Sequence, residues 1–163
     1  MLDAVRVLVT GAAGFIGSHL VDALVTAGAR VTAMVRYNSG SSVGNLGFLP
    51  TERLAEVKIA AGNIEDSDFV LRAVADNEIV LHLAALIAIP YSYDAPRSYV
   101  RTNIEGTLNV LEAVRRLGTR RLVITSTSEV YGTARYAPID EDHPLQGQCK
   151  RFGGGTLRRG VAL

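Results

Sequence analysis

Three glycines, Gly11, Gly14 and Gly17, restrict this chain more than any other feature, because they stand between a β-branched run and an amphipathic one. The run before them, Val5–Thr10, is apolar apart from Arg6 and its terminal Thr10, as in a strand buried on both faces. After them Ile16, Leu20, Ala23, Leu24 and Ala27 recur at helical spacing, and Gly28 marks a stop. A strand that turns so quickly into a helix needs residues that tolerate sharp backbone angles and close approach, and glycine supplies both. The helix start then offers unpaired N–H groups and the positive end of a dipole to an anion. In this strand–turn–helix context the GxxGxxG spacing predicts a pyrophosphate-binding turn built from Gly11, Gly14, Phe15, Ile16 and Gly17.

The rest of the chain continues the alternation. Further strands are predicted at Arg30–Val35, Val57–Ala60, Ile79–Leu83 and Leu122–Thr125, and a helix over about Ser67–Ala75. Residues 38–47 (NSGSSVGNLG) read as a loop, as does the stretch bracketed by Pro90 and Pro96. Pro96 suits the first turn of a long helix that runs to Leu117 and is capped by Gly118. Arg101–Glu105 and Glu112–Arg116 are spaced to support it. Its apolar residues, Val100, Ile104 and Leu108 among them, cover more than one narrow stripe, enough to face both a sheet and a partner. Strands alternating with helices imply parallel pairing through crossovers, hence an α/β, Rossmann-like doubly wound sheet.

Composition narrows the function. A chain of 163 residues suits one domain, and a net charge of +1 gives no reason to expect nucleic acid or an acidic membrane as partner. The single cysteine, Cys149, excludes an internal disulfide and fits a reducing compartment. No secretory pattern opens the chain, and the most apolar stretch, Ile79–Pro90, is far too short to span a bilayer, so a cytoplasmic protein is expected. No metal site is expected.

In Rossmann folds that bind NAD, an acid about 20 residues beyond the turn holds the ribose 2′-OH. Here Arg36 stands at that strand end. It can pair with a 2′-phosphate, which favours NADP over NAD, or it can be an ordinary solvated arginine.

TGAAGFIGSHLVDAL, GNI at 62–64, HLAA at 82–85, TNIEGTLNVLEA at 102–113 and TSTSEVYGTA at 125–134 resemble the extended short-chain dehydrogenase/reductase family. This family contains the NAD-dependent epimerases and dehydratases of nucleotide sugars. The likeness runs over about residues 4–148. It implies that Asn63, with Ile64 beside it, replaces an aspartate that accepts a hydrogen bond from the adenine amino group. It also implies that Ala84 and Ala85 line the cofactor and that Asn103 braces the site. His82, in a strongly apolar strand, reads as a satisfied core histidine rather than a base.

The same resemblance places chemistry after the fifth strand. It implies that Thr127 hydrogen-bonds the reacting oxygen of the sugar and that Glu129 removes the C5 proton. Ser128 stands where some 4,6-dehydratases carry an aspartic acid that protonates the leaving hydroxyl. In that reaction, oxidation at C4 acidifies the C5 proton, water leaves across C5–C6, and the stored hydride returns to C6. A simple epimerase needs no such carboxylate. The Thr-Ser-Glu run, with IAIPYSY at 87–93 and PLQGQ at 144–148, is similar to the UDP-N-acetylglucosamine and GDP-mannose 4,6-dehydratases. The family's Tyr-x-x-x-Lys pair has no counterpart: no tyrosine follows Tyr136, and Phe152 has no hydroxyl. The likeness ends after Gln148, and the glycine-rich, basic tail 149–163 is expected to be unstructured.

These readings make residues 1–148 the NAD(P)-binding portion of a nucleotide-sugar 4,6-dehydratase, truncated before the catalytic helix and the substrate domain. Such a chain is expected to be inactive alone, and its complete form to be a homodimer. A 4-epimerase or reductase of the same family is the first alternative. A non-catalytic dinucleotide-binding sensor is the second.

Overall fold

Five strands, β1 (Arg6–Thr10), β2 (Arg30–Arg36), β3 (Lys58–Gly62), β4 (Ile79–His82) and β5 (Arg121–Ile124), form one sheet in the order β3-β2-β1-β4-β5. Every pairing is parallel; Thr10, for example, lies opposite Met34 on one side and His82 on the other. The structure is a computed structural model that describes residues 2–145. The tail expected at 149–163 lies outside them. The chain divides into two compact units, Met1–Ile124 and Thr125–Leu163.

Helices fill both faces of the sheet. In chain order they are α1 (Phe15–Thr26), α2 (Thr51–Ala55), α3 (Ser67–Val74), α4 (Ile89–Asp94), α5 (Pro96–Tyr99) and α6 (Gly106–Leu117). Side chains alternate across a strand, so one strand feeds two cores. Val7 and Val9 of β1 join Val31, Ala33 and Val35 of β2 in a cluster with Val21, Leu24 and Val25 of α1. Leu8 and Met34 point the other way, to Val70 and Val74 of α3 and Val110 and Ala113 of α6. This two-sided burial is why β1 and β2 read as nearly continuous apolar runs. Asp66 caps α3, its carboxylate accepting from the N–H groups of Asp68 and Phe69 at 3.0 Å each.

The expected order of strands and long helices is observed, with four local differences, one of them the short helix α2, which no expected helix matches. The stretch between Pro90 and Pro96 is not a loop: Pro90 stands in the first turn of α4, where a proline wastes no hydrogen bond, while Pro96 opens a helix as expected. Part of the 38–47 loop belongs to a 3₁₀ turn, Gly44–Phe48. The helix from Pro96 to Leu117 is not uniform, because Val100–Glu105 forms a π segment between α5 and α6. Hydrogen bonds there run to the fifth residue, which shifts the side-chain register. Arg101 and Glu105 accordingly do not pair, whereas Glu112 binds Arg115 at 2.6 Å and Arg116 at 3.6 Å. Val100, Ile104 and Leu108 lie exposed along this run. Among the described residues no helix is long and apolar enough to cross a membrane.

Candidate functional site

Strand order reverses between β1 and β4, which are hydrogen-bonded neighbours whose crossovers leave in opposite directions. In open α/β sheets such a point leaves a crevice beyond the carboxyl ends of the strands. The sequence delivers the glycine turn to that crevice. Gly11 has φ of +68°, and a Cβ there would lie 2.8 Å from the Ala84 nitrogen. A Cβ on Gly17 would overlap the Gly11 carbonyl oxygen. Both positions require glycine, one for backbone angle and contact, the other for contact alone. The Gly14 N–H donates to the Gly11 carbonyl at 3.0 Å and closes the turn.

Gly14 is the N-cap of α1, no side chain caps the helix, and its first turn holds no acid. The first N–H groups are therefore left for a ligand. Phe15 and Ile16, the first two helical residues, are 73% and 64% exposed. An open, uncapped helix start flanked by exposed apolar side chains matches an anion carrying aromatic or aliphatic surface. The features suit a pyrophosphate with attached rings: close backbone approach at Gly11 and Gly17, free donors, and no competing carboxylate.

The other expected cofactor residues surround this turn on the same unit. Arg36 ends β2 and is exposed. Beside it the Asn38 side chain ties the loop together, donating to the Arg36 and Ser42 carbonyls and accepting from the Ser42 N–H. Asn63 is exposed just past β3, and its Oδ1 accepts from the Glu65 N–H at 3.3 Å. That oxygen keeps a second lone pair for another donor. The Ile64 side chain is buried in the core, so only its backbone can meet a ligand. Its carbonyl is taken by Asn109 at 3.0 Å. Ala84 is half-buried and Ala85 exposed beyond β4. Asn103 braces this segment: its amide accepts from the Leu86 N–H at 2.8 Å and donates to the Leu86 carbonyl at 2.9 Å. Thr127, Ser128 and Glu129 belong to the second unit, where Ser128–Tyr131 forms a 3₁₀ turn.

Sequence reasoning passed over the polar residues that hold these parts. Thr10 Oγ1 accepts from both the Leu83 and Ala84 N–H groups at 3.1 Å. Thr102 donates to Glu65 at 3.0 Å. A threonine ending an apolar run was the available signal, since a hydroxyl buried with its strand, as Thr10 is, must find partners.

His82 is 3% exposed and is bonded at both ring nitrogens, to Thr10 Oγ1 at 2.7 Å and Thr107 Oγ1 at 3.1 Å. Burial pushes its imidazole from the ordinary 6.5 down to about 4. Between those values the unfolded chain binds the proton that the folded chain refuses. Stability is then complete above the unfolded value and falls as pH drops through the window, by about 3 kcal/mol in all. Urea denaturation above and below the window should show this loss in the wild type and a smaller one in His82→Gln.

The sequence profile of the GDP-mannose 4,6 dehydratase family matches residues 8–149. The chain is 36% identical over 160 residues to UDP-glucose 4-epimerase of Bos taurus, covering 92% of this chain and 45% of that protein. It is 37% identical over 146 residues to dTDP-glucose 4,6-dehydratase of Streptomyces niveus, covering 86% of this chain and 43% of that protein. UDP-glucose 4-epimerase from Bifidobacterium longum, solved in complex with NAD+ and UDP, superposes with a TM-score of 0.71 at 30% identity over 87% of this chain and 43% of that one. The chain thus spans less than half the length of these relatives. With its parallel sheet, its glycine turn at the switch point and these matches, the chain belongs to the NAD-dependent epimerase/dehydratase family of extended short-chain dehydrogenases.

Proposed function

We propose that this chain binds a nicotinamide dinucleotide at the β1–β4 crevice and supplies the cofactor portion of a nucleotide-sugar 4,6-dehydratase. The observation that carries the reading is the Gly11–Gly17 turn, which brings bare backbone and the open start of α1 to one point. The B. longum relative holds NAD+ and UDP. A bound nicotinamide would supply this reaction with a reversible hydride store for sugar C4. The chain's own part is to cradle the pyrophosphate with Gly11, Gly14 and Gly17 and to line the crevice with Ala84 and Ala85. Asn63 and the Ile64 backbone receive the adenine. In the reading, Thr127 holds the reacting sugar oxygen, Glu129 takes the C5 proton and Ser128 assists loss of the hydroxyl. The carboxylate in the Thr-Ser-Glu run supports dehydration over epimerisation. The reading includes a homodimer through the exposed apolar stripe of Val100, Ile104 and Leu108.

A 4-epimerase is the second reading, favoured by the bovine relative. Incubating an active form with NAD or NADP and UDP-, GDP- or dTDP-sugars separates the two by mass: a dehydratase product is lighter by one water, an epimer is not. Absence of both products and of dinucleotide binding would remove the proposal.

Cofactor choice gives a second test. No acid stands between Arg36 and Ser42, and Arg36 lies exposed at the end of β2. NADP should bind more tightly than NAD by calorimetry, on the order of tenfold for one charge-assisted contact. Arg36→Ala should erase the difference. Tighter NAD binding by the wild type would refute the preference.

A further inference from the structure

Helix α6 is tied to the carboxyl ends of β1 and β4 by a chain of hydroxyl and imidazole groups. Thr10 Oγ1 accepts from two backbone N–H groups, Leu83 and Ala84, each at 3.1 Å. A hydroxyl oxygen has two lone pairs, so its acceptor capacity is then full. The Thr10 hydrogen is left to point at His82 Nδ1, 2.7 Å away. That nitrogen must accept, so the proton of the neutral ring sits on Nε2 and is donated to Thr107 Oγ1 at 3.1 Å. The direction of every bond follows from the two backbone donors at one end.

The same two donors define the cofactor crevice. Ala84 is the residue that Gly11 approaches so closely that a Cβ would meet its nitrogen at 2.8 Å. Thr10 immediately precedes Gly11, and Leu83 and Ala84 immediately follow His82. The gap between the glycine turn and the β4 exit is therefore fixed by the Thr10 hydroxyl, and its rotor by His82. The ring itself is fixed by α6 through Thr107. We infer that His82 and Thr107 are positioning residues for dinucleotide binding, holding the Gly11 turn and the Ala84 backbone at their working separation through Thr10.

The inference rests on the dinucleotide reading above, and the test separates the two. Calorimetric titration of the chain with NAD and NADP gives the reference Kd. Thr107→Val removes the acceptor of the His82 Nε2–H while keeping the shape, and Kd should rise about tenfold, as for one lost buried hydrogen bond. Thr107→Ser should restore it. Val110→Ala, a truncation in the core on the same helix, should lower Tm and leave Kd in place. Long-range ¹H–¹⁵N NMR on the wild type should show the Nε2–H tautomer of His82, a readout that does not depend on any variant folding.

An unchanged Kd in Thr107→Val, an equal rise in Val110→Ala, or the Nδ1–H tautomer would overturn the inference. Should Thr107→Val fail to fold, the tautomer decides. A wild type that binds neither dinucleotide overturns the binding proposal itself, and with it the role of the relay.

Discussion

Gly17→Ala is expected to abolish dinucleotide binding, raising Kd by more than ~100-fold, equivalent to about 3 kcal/mol. The added methyl would overlap the Gly11 carbonyl oxygen and lie 2.9 Å from the Ala12 Cα, so backbone rather than a flexible side chain must yield. Two movements relieve the clash. The Gly11 carbonyl can turn away, which breaks its bond from the Gly14 N–H, or the start of α1 can withdraw. Either one displaces the N–H groups that would face the pyrophosphate. Overpacking of this kind also costs about 1–3 kcal/mol of stability, so thermal melts must accompany the titration. Gly47→Ala is the control, since the nearest atom to its added Cβ is 4.0 Å away. Wild-type affinity in Gly17→Ala would show that the turn is structural and holds no ligand.

The second large effect concerns Glu129. In an active form that includes the family's Tyr-x-x-x-Lys pair, Glu129→Gln should still permit oxidation at C4 but slow removal of the C5 proton by about 10²–10⁴, the usual scale for a positioned base. Glutamine keeps the shape of the side chain and loses its basicity. Deuterium uptake at C5 in heavy water, followed by mass spectrometry, reads the step directly. Undiminished uptake would take Glu129 out of the mechanism and return the choice between dehydratase and epimerase to an open question.

What could be read from the residues follows from how strongly physics constrains each one. β1 was visible because both of its faces are buried, Val7 and Val9 on one and Leu8 on the other, so apolar character is continuous. The glycine turn was visible because only glycine meets its contacts. His82 was legible as a core residue from its apolar neighbours, and its partners Thr10 and Thr107 were not, since each comes from a distant part of the chain. The short helix α4 was missed because Pro90 read as loop punctuation, and a first-turn proline looks the same from sequence. The π segment left no mark, because its apolar positions Val100 and Ile104 still fall four apart. Arg36 and Asn63 are exposed, and exposed residues carry no periodic signal.

The π segment at Val100–Glu105 has a consequence for chain length. A helix turns by about 100° per residue. Upstream of α6, Asn103 is anchored to Leu86; within it, Thr107 is anchored to His82 and Asn109 to Ile64. Removing one residue between Asn103 and Thr107 would rotate Asn103 and everything before it by about that angle relative to Thr107 and Asn109. The two sets of anchors could then not be made at once. An insertion would do the same in the opposite sense. This stretch should therefore behave as an incompressible spacer, admitting substitutions while rejecting any change in residue count.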